Sequence, residues 1–100
     1  MTREVERTED GHWIVVDGRR WRTADPALPA DVREQLLHHL GVARSGVRAA
    51  RGDDAAVAAH RARVQLAKEG LGERGTAWWD QDDDERRVRW ETALRELDRS

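Results

Sequence analysis

Two stretches with apolar residues at three- and four-residue spacing, joined by nothing more than Gly52-Asp53-Asp54, constrain this chain more than any other feature. Val32, Leu36, Leu40, Ala43, Val47 and Ala50, with Leu37 widening the stripe, predict a first helix from about Ala30 to Arg51. Val57, His60, Val64, Ala67 and Leu71 predict a second from about Asp54 to Leu71. A glycine that stops one helix beside an aspartate that caps the next leaves no length for a crossover, so the two run antiparallel. Ala55, Ala59, Ala62 and Leu66 add a second stripe to the second helix, which makes its apolar face too broad for one partner. That helix is expected at the centre. Gly41 and Gly46 each weaken the first helix by ~1 kcal/mol, so it depends on packing.

All five tryptophans lie outside this helical pair, in a chain without phenylalanine, tyrosine or cysteine. Trp13 and Trp21 belong to His12-Trp-Ile-Val-Val-Asp-Gly-Arg-Arg-Trp-Arg22, where Asp17-Gly18 tolerates the positive φ angles of a type I′ turn and predicts a β-hairpin. A two-residue loop fixes the register. His12, Ile14, Val16, Arg19, Trp21 and Thr23 share one side, taken as the core side; Trp13, Val15, Arg20 and Arg22 share the other. A lone hairpin is marginal in water and has to lean on the helices or on another copy. Thr23 to Pro29 reads as a connector, and the glycines at 70, 72 and 75 break the chain before Trp78-Trp79, expected to fold back as a plug. Trp90, Ala93, Leu94 and Leu97 give a last helix from about Asp83 to Asp98 its short apolar face. The fold class that results is α+β: an N-terminal β-hairpin packed on an antiparallel helical hairpin, plus a short C-terminal helix.

One hundred residues make one domain, placed at residues 12–100, with residues 1–11, polar and aperiodic, expected as a mobile tail. Charged residues are 38% of the chain, well above the usual ~25%, so the core is thin. A formal charge of −2 gives no global attraction to nucleic acid or anionic lipid, and any polyanion would have to meet a local patch. No stretch approaches the ~18 apolar residues of a membrane span, and no apolar signal segment stands at the start, so no membrane partner and a cytoplasmic location are expected. Without cysteine there is no disulfide, thiol nucleophile or thiolate metal site.

The acidic run Asp80 to Glu85 imitates a calcium loop, with Asp80, Asp82 and Asp84 at positions one, three and five and Glu91 at twelve. Glu85 stands where that loop needs glycine, and carboxylates at a helix start are favoured by the helix dipole without any metal. His38 and His39, with Glu34 a turn earlier, lack a third ligand at suitable spacing; His60 sits on an apolar seam and reads as a core histidine. Ser45 has no nucleophile-elbow context, and no strand precedes the glycines at 70–75 as a phosphate loop requires. No catalytic residue, metal site or cofactor is therefore expected, and the protein is not read as an enzyme. Arg19-Arg20-Trp21-Arg22 interleaves cations with an aromatic, which suits phosphates and bases, although arginines shielding tryptophan explain the pattern equally well. Trp13, Arg19, Arg20 and Arg22 are the candidate ligand-binding residues. Arg33, Arg44, Arg48 and Arg51 flank the first helix, with the acidic run as an intramolecular candidate partner.

Trp13-Ile-Val-Val-Asp-Gly-Arg-Arg-Trp-Arg-Thr-Ala-Asp-Pro26 and Ala62-Arg-Val-Gln-Leu-Ala-Lys-Glu-Gly-Leu-Gly-Glu-Arg-Gly-Thr-Ala-Trp-Trp79 resemble the two signature blocks of a group of short, uncharacterised bacterial proteins, some labelled Tol-type biopolymer transporters. The resemblance implies no activity, and the transporter label conflicts with the absence of a span or export signal. The residues themselves favour a small interaction module that binds a larger protein or itself, a homodimer being the self-associated form. Nucleic acid or a phosphate-bearing ligand on the Arg/Trp-rich hairpin is the alternative.

Overall fold

The computed structural model describes residues 5–99, and the chain is α+β: a three-stranded antiparallel sheet followed by three helices. Strands β1 (Val5–Arg7), β2 (Trp13–Val16) and β3 (Arg19–Arg22) lie in that order across the sheet. Helices α1 (Ala30–Ala49), α2 (Asp54–Leu71) and α3 (Asp83–Arg99) follow, with a single 3-10 turn at Trp78–Asp80. Among the described residues no helix is long and apolar enough to cross a membrane.

Asp17 and Gly18 adopt φ angles of 53° and 79°, the left-handed pair that a type I′ turn needs. Val16 therefore opposes Arg19 and Ile14 opposes Trp21, as the two-residue loop dictates. The expected mobile tail is corrected: Val5 pairs with Val16 and Arg7 with Ile14, so ordered structure begins well before His12. Residues 1–4 of that tail lie outside the described residues. A second tight turn joins β1 to β2, closed by the Thr8 N–H donating to the Trp13 carbonyl at 2.9 Å. Asp10 accepts from the Thr8 hydroxyl at 2.6 Å and the His12 N–H at 3.0 Å, and Gly11 takes φ 74°. The added strand widens a ribbon that would be marginal as two strands.

The helices begin where their caps put them. Asp53 accepts the Ala56 N–H at 3.1 Å, while Asp82 and Glu85 form a reciprocal capping box, at 2.8 Å from the Glu85 N–H and 3.1 Å from the Asp82 N–H. Carboxylates of the acidic run thus serve the start of α3. Leu36, Leu71 and Leu97 are fully buried, with Val32, Leu40, Ala67 and Ala93 completing the core. Helix α2 lies between the other two, as its breadth requires. Coverage is incomplete, however, because α3 meets only the C-terminal half of α2; Leu66 is half-buried while Ala55, Ala59 and Ala62 stay exposed. Gly70 marks the three-helix crossing, since a Cβ there would stand 2.8 Å from both the Ala93 Cβ and the Leu36 Cδ2.

One buried ion cluster fastens the sheet to this bundle. Asp25 has a side chain only 1% exposed and lies 2.8 Å from Arg89 and 3.5 Å from Arg86, both of α3. Its carboxylate also accepts the Ala27 N–H at 2.8 Å, and its own N–H donates to the Leu71 carbonyl at 2.8 Å. Arg89 donates further to the Gln81 side chain at 2.6 Å, and Arg86 to the Trp78 carbonyl at 2.9 Å. The Trp78 indole N–H donates to the Thr23 carbonyl at 3.0 Å, so the expected plug is in place. Gly72 ends α2 with φ 87°, where a Cβ would lie 3.3 Å from the Asp25 nitrogen and 3.3 Å from the Trp78 ring.

Removing one partner of a buried pair strands the other charge, so Asp25→Ala should lower the unfolding free energy by about 3–5 kcal/mol in urea titration. Two glycines in helices should respond in opposite directions. Gly41→Ala, with open space around it, should stabilise by ~1 kcal/mol, whereas Gly70→Ala should destabilise by ~1–3 kcal/mol despite the same gain in helix propensity. Equal thermal shifts for the two variants would remove the three-helix crossing.

Candidate functional site

Pairing fixes which side chains share each face of the sheet. Trp13, Val15, Arg20, Arg22 and Glu6 stand on the outer face, and Val5, Arg7, Ile14, Val16, Arg19 and Trp21 on the inner. The four candidate ligand residues are therefore divided: Trp13, Arg20 and Arg22 on one side, Arg19 on the other.

On the outer face cations and rings satisfy one another. Arg20 lies over the Trp13 ring at 4.7 Å, and Trp79 meets the same ring edge-on at 5.7 Å. His12 stacks on Trp79 with centroids 3.8 Å apart and planes 1° from parallel. Arg22 lies 5.7 Å from the Trp79 centroid and donates to the Gly75 carbonyl at 2.8 Å. This ladder ties the sheet to the loop after α2, so Trp13 offers no bare ring for a base.

The inner face behaves differently, and here the expected core side is corrected. Trp21 is 42% exposed, against a half-buried Trp13, with Arg19 over its ring at 4.8 Å and the Lys68 ammonium 6.0 Å from its centroid. Ile14 faces the N-terminal half of α1 across an open cleft of about 570 Å³. Leu28, Leu37 and Leu71 contribute its apolar floor, and Arg7, Arg33 and Glu73 its charged lining. Leu37 is 45% exposed. The sheet and α1 do not close on each other because the sheet is held at its base, by Thr23, Asp25 and the tryptophans, and projects from there.

No family model, curated protein or solved structure matches the chain. The site thus rests on its own chemistry. Among the described residues no group of three or more histidines or carboxylates is placed to hold a metal ion. His39 instead lies 3.0 Å from Asp98 of α3, and the His60 ring fills the space that a side chain at Gly46 would need. The pairing of the α1 arginines with the acidic run is not among the described ion pairs, in which Asp84 meets Arg87 within α3.

Charge is uneven around the cleft. Burial pushes the Glu73 carboxyl above its ordinary value, outweighing the pull of Lys68, Arg44 and Arg74 in the other direction. Burial likewise pulls the Lys68 ammonium down, helped by Arg74 and Arg44. A half-buried carboxylate thus sits among cations that still do not offset its desolvation. Sequence reasoning passed over Glu73, Arg7 and Asp25; the repeat of Asp-Gly at positions 10 and 17 was the available signal for β1, and Arg86 and Arg89 on one side of α3 a signal for Asp25.

Because its folded pKa is raised, Glu73 contributes most to stability below its unfolded value of 4.5, and that contribution is lost as pH rises through the folded value. Relative to Glu73→Gln, the wild type should gain stability as pH falls from neutral toward 4.5. Urea midpoints of the two proteins across that range check the sign; a wild type that loses ground on acidification contradicts the desolvated carboxylate.

Proposed function

We propose that this chain is a small cytoplasmic protein-interaction module that docks a partner protein in the open face between the sheet and α1. The observation that carries this reading is the half-exposed Leu37 facing Ile14 across an open cleft, with the half-exposed Trp21 opposite Ile14 on the same sheet face. Tryptophan and arginine are the residues that dominate binding energy when a partner desolvates them, and both stand here. A cytoplasmic setting agrees with the lack of cysteine, and the resemblance to the short bacterial group adds no competing activity.

The partner is taken to be a different chain. In a two-fold dimer each residue of the patch faces the same patch on the other copy, so Arg7, Arg19, Arg33 and Lys68 would confront like charges. Nucleic-acid binding has less support, because the outer-face rings are already covered and aliphatic side chains floor the inner cleft.

Panning a displayed peptide library against the protein should select binders that Trp21→Glu and Leu37→Glu abolish and that the distant exposed Val88→Glu leaves intact. Binders equally sensitive to all three variants, or to none, remove the docking face. Equilibrium sedimentation should give a species of 11.5 kDa; a heavier one that Trp21→Glu dissociates would assign the face to a second copy.

A further inference from the structure

We infer that the segment recognised in this cleft is acidic and amphipathic: a short stretch of a partner protein whose apolar side chains meet Ile14 and Leu37 and extend along the same sheet face to Trp21, while its carboxylates meet Arg7 and Arg33. The inference rests on the docking face proposed above and adds the chemistry of what docks there.

The argument is one of unsatisfied charge. Among the described residues, five charged ones line the cleft: Arg7, Arg22, Arg33, Asp25 and Glu73. Asp25 is neutralised from behind by Arg86 and Arg89, and Arg22 spends one guanidinium nitrogen on the Gly75 carbonyl and its plane on Trp79. Glu73 already stands among Lys68, Arg44 and Arg74. Arg7 and Arg33 remain, and neither makes an ion pair among the described residues. Arg19 and Lys68 extend the same sign past Trp21. A chain of net charge −2 has thus gathered cations around this apolar opening and spent carboxylates of its acidic run on the start of α3.

That combination selects among anions. A phosphate backbone would use the arginines but gain nothing from Ile14, Leu28 and Leu37, and would need bare rings for its bases. A peptide alternating carboxylates with leucine-like side chains uses both, burying the apolar floor while the charges steer approach and fix register. Basic and neutral segments of the same apolar content lose one half of the contacts or meet repulsion.

The test uses the whole chain and three labelled peptides of one design: leucines interspersed with glutamate, the same peptide with lysine for glutamate, and the same with glutamine. Fluorescence anisotropy should show the glutamate peptide binding tightest, weakening as salt rises through ~0.1 M, where the screening length falls to about 10 Å. Arg7→Glu with Arg33→Glu should weaken it roughly tenfold and should at the same time let the lysine peptide bind. Circular dichroism and thermal melting verify that this variant is folded; if it is not, Arg7→Gln with Arg33→Gln replaces it, with a smaller loss expected.

Failure of the glutamate peptide to bind, or equal binding of all three, overturns the inference, as does indifference to the charge reversal. A labelled single-stranded oligonucleotide that binds more tightly and displaces the peptide also overturns it, in favour of phosphate recognition. Library-selected peptides that depend on Trp21 and Leu37 yet carry no excess of acidic residues would sink the acidic partner while leaving the docking face in place.

Discussion

A carboxylate taken out of water beside two guanidinium groups is the interaction on which the rest of this structure depends. Desolvating Asp25 costs several kcal/mol unless every lone pair finds a partner, and Arg89, Arg86 and the Ala27 N–H provide them. Meeting that demand fixes parts far apart in the chain. Helix α3 must turn Arg86 and Arg89 toward the connector, α2 must stop at a residue without a side chain so that Asp25 can approach, and Trp78 must close the remaining side. The two sequence blocks ending at Pro26 and Trp79 meet at this cluster, one supplying Thr23 and Asp25 and the other Gly72 and Trp78.

The position of this anchor also explains why the sheet stands open. It lies at the end of β3, so the ribbon is gripped at its base and braced on its outer face by the ladder of Trp13, Trp79, His12, Arg20 and Arg22. Among the described residues no comparable ladder of rings joins the inner face to the helices. Ile14 faces α1 across a gap, and the thin apolar content leaves no side chains to fill it. An opening of this kind, with free arginines beside exposed aliphatic and aromatic groups, is the physical basis for assigning a docking role.

Bracing and docking place different demands on the same residue types. Arginine over tryptophan gains about 0.5–1 kcal/mol at exposed sites and shields the ring; that describes Arg20 on Trp13 and Arg19 on Trp21 alike. What separates them is the second contact. Trp13 has Trp79 against it and belongs to the structure, while Trp21 has the cationic side chains of Arg19 and Lys68 near its ring and is 42% exposed.

Local pattern determined much of this protein. Spacing of Val32, Leu36 and Leu40 set α1, Gly52-Asp53-Asp54 set the helical hairpin, and Asp17-Gly18 set the β2–β3 turn and register, because each depends on residues within a turn or two of one another. Periodicity is equally blind to what lies beyond that range. Asp25 and Arg89 are separated by sixty-four positions, and although Arg86 and Arg89 share one side of α3, no local pattern names their partner. The inner face was legible as a set, Ile14 with Val16 and Trp21, but not as open, since exposure depends on where the ribbon is gripped. Strand β1 lay hidden in a charged segment whose residues pair through backbone rather than through apolar side chains. Sequence fixes the periods and the turns because those are short-range sterics; tertiary structure alone decided which tryptophan was buried, because that followed from one buried charge seeking its partners across the chain.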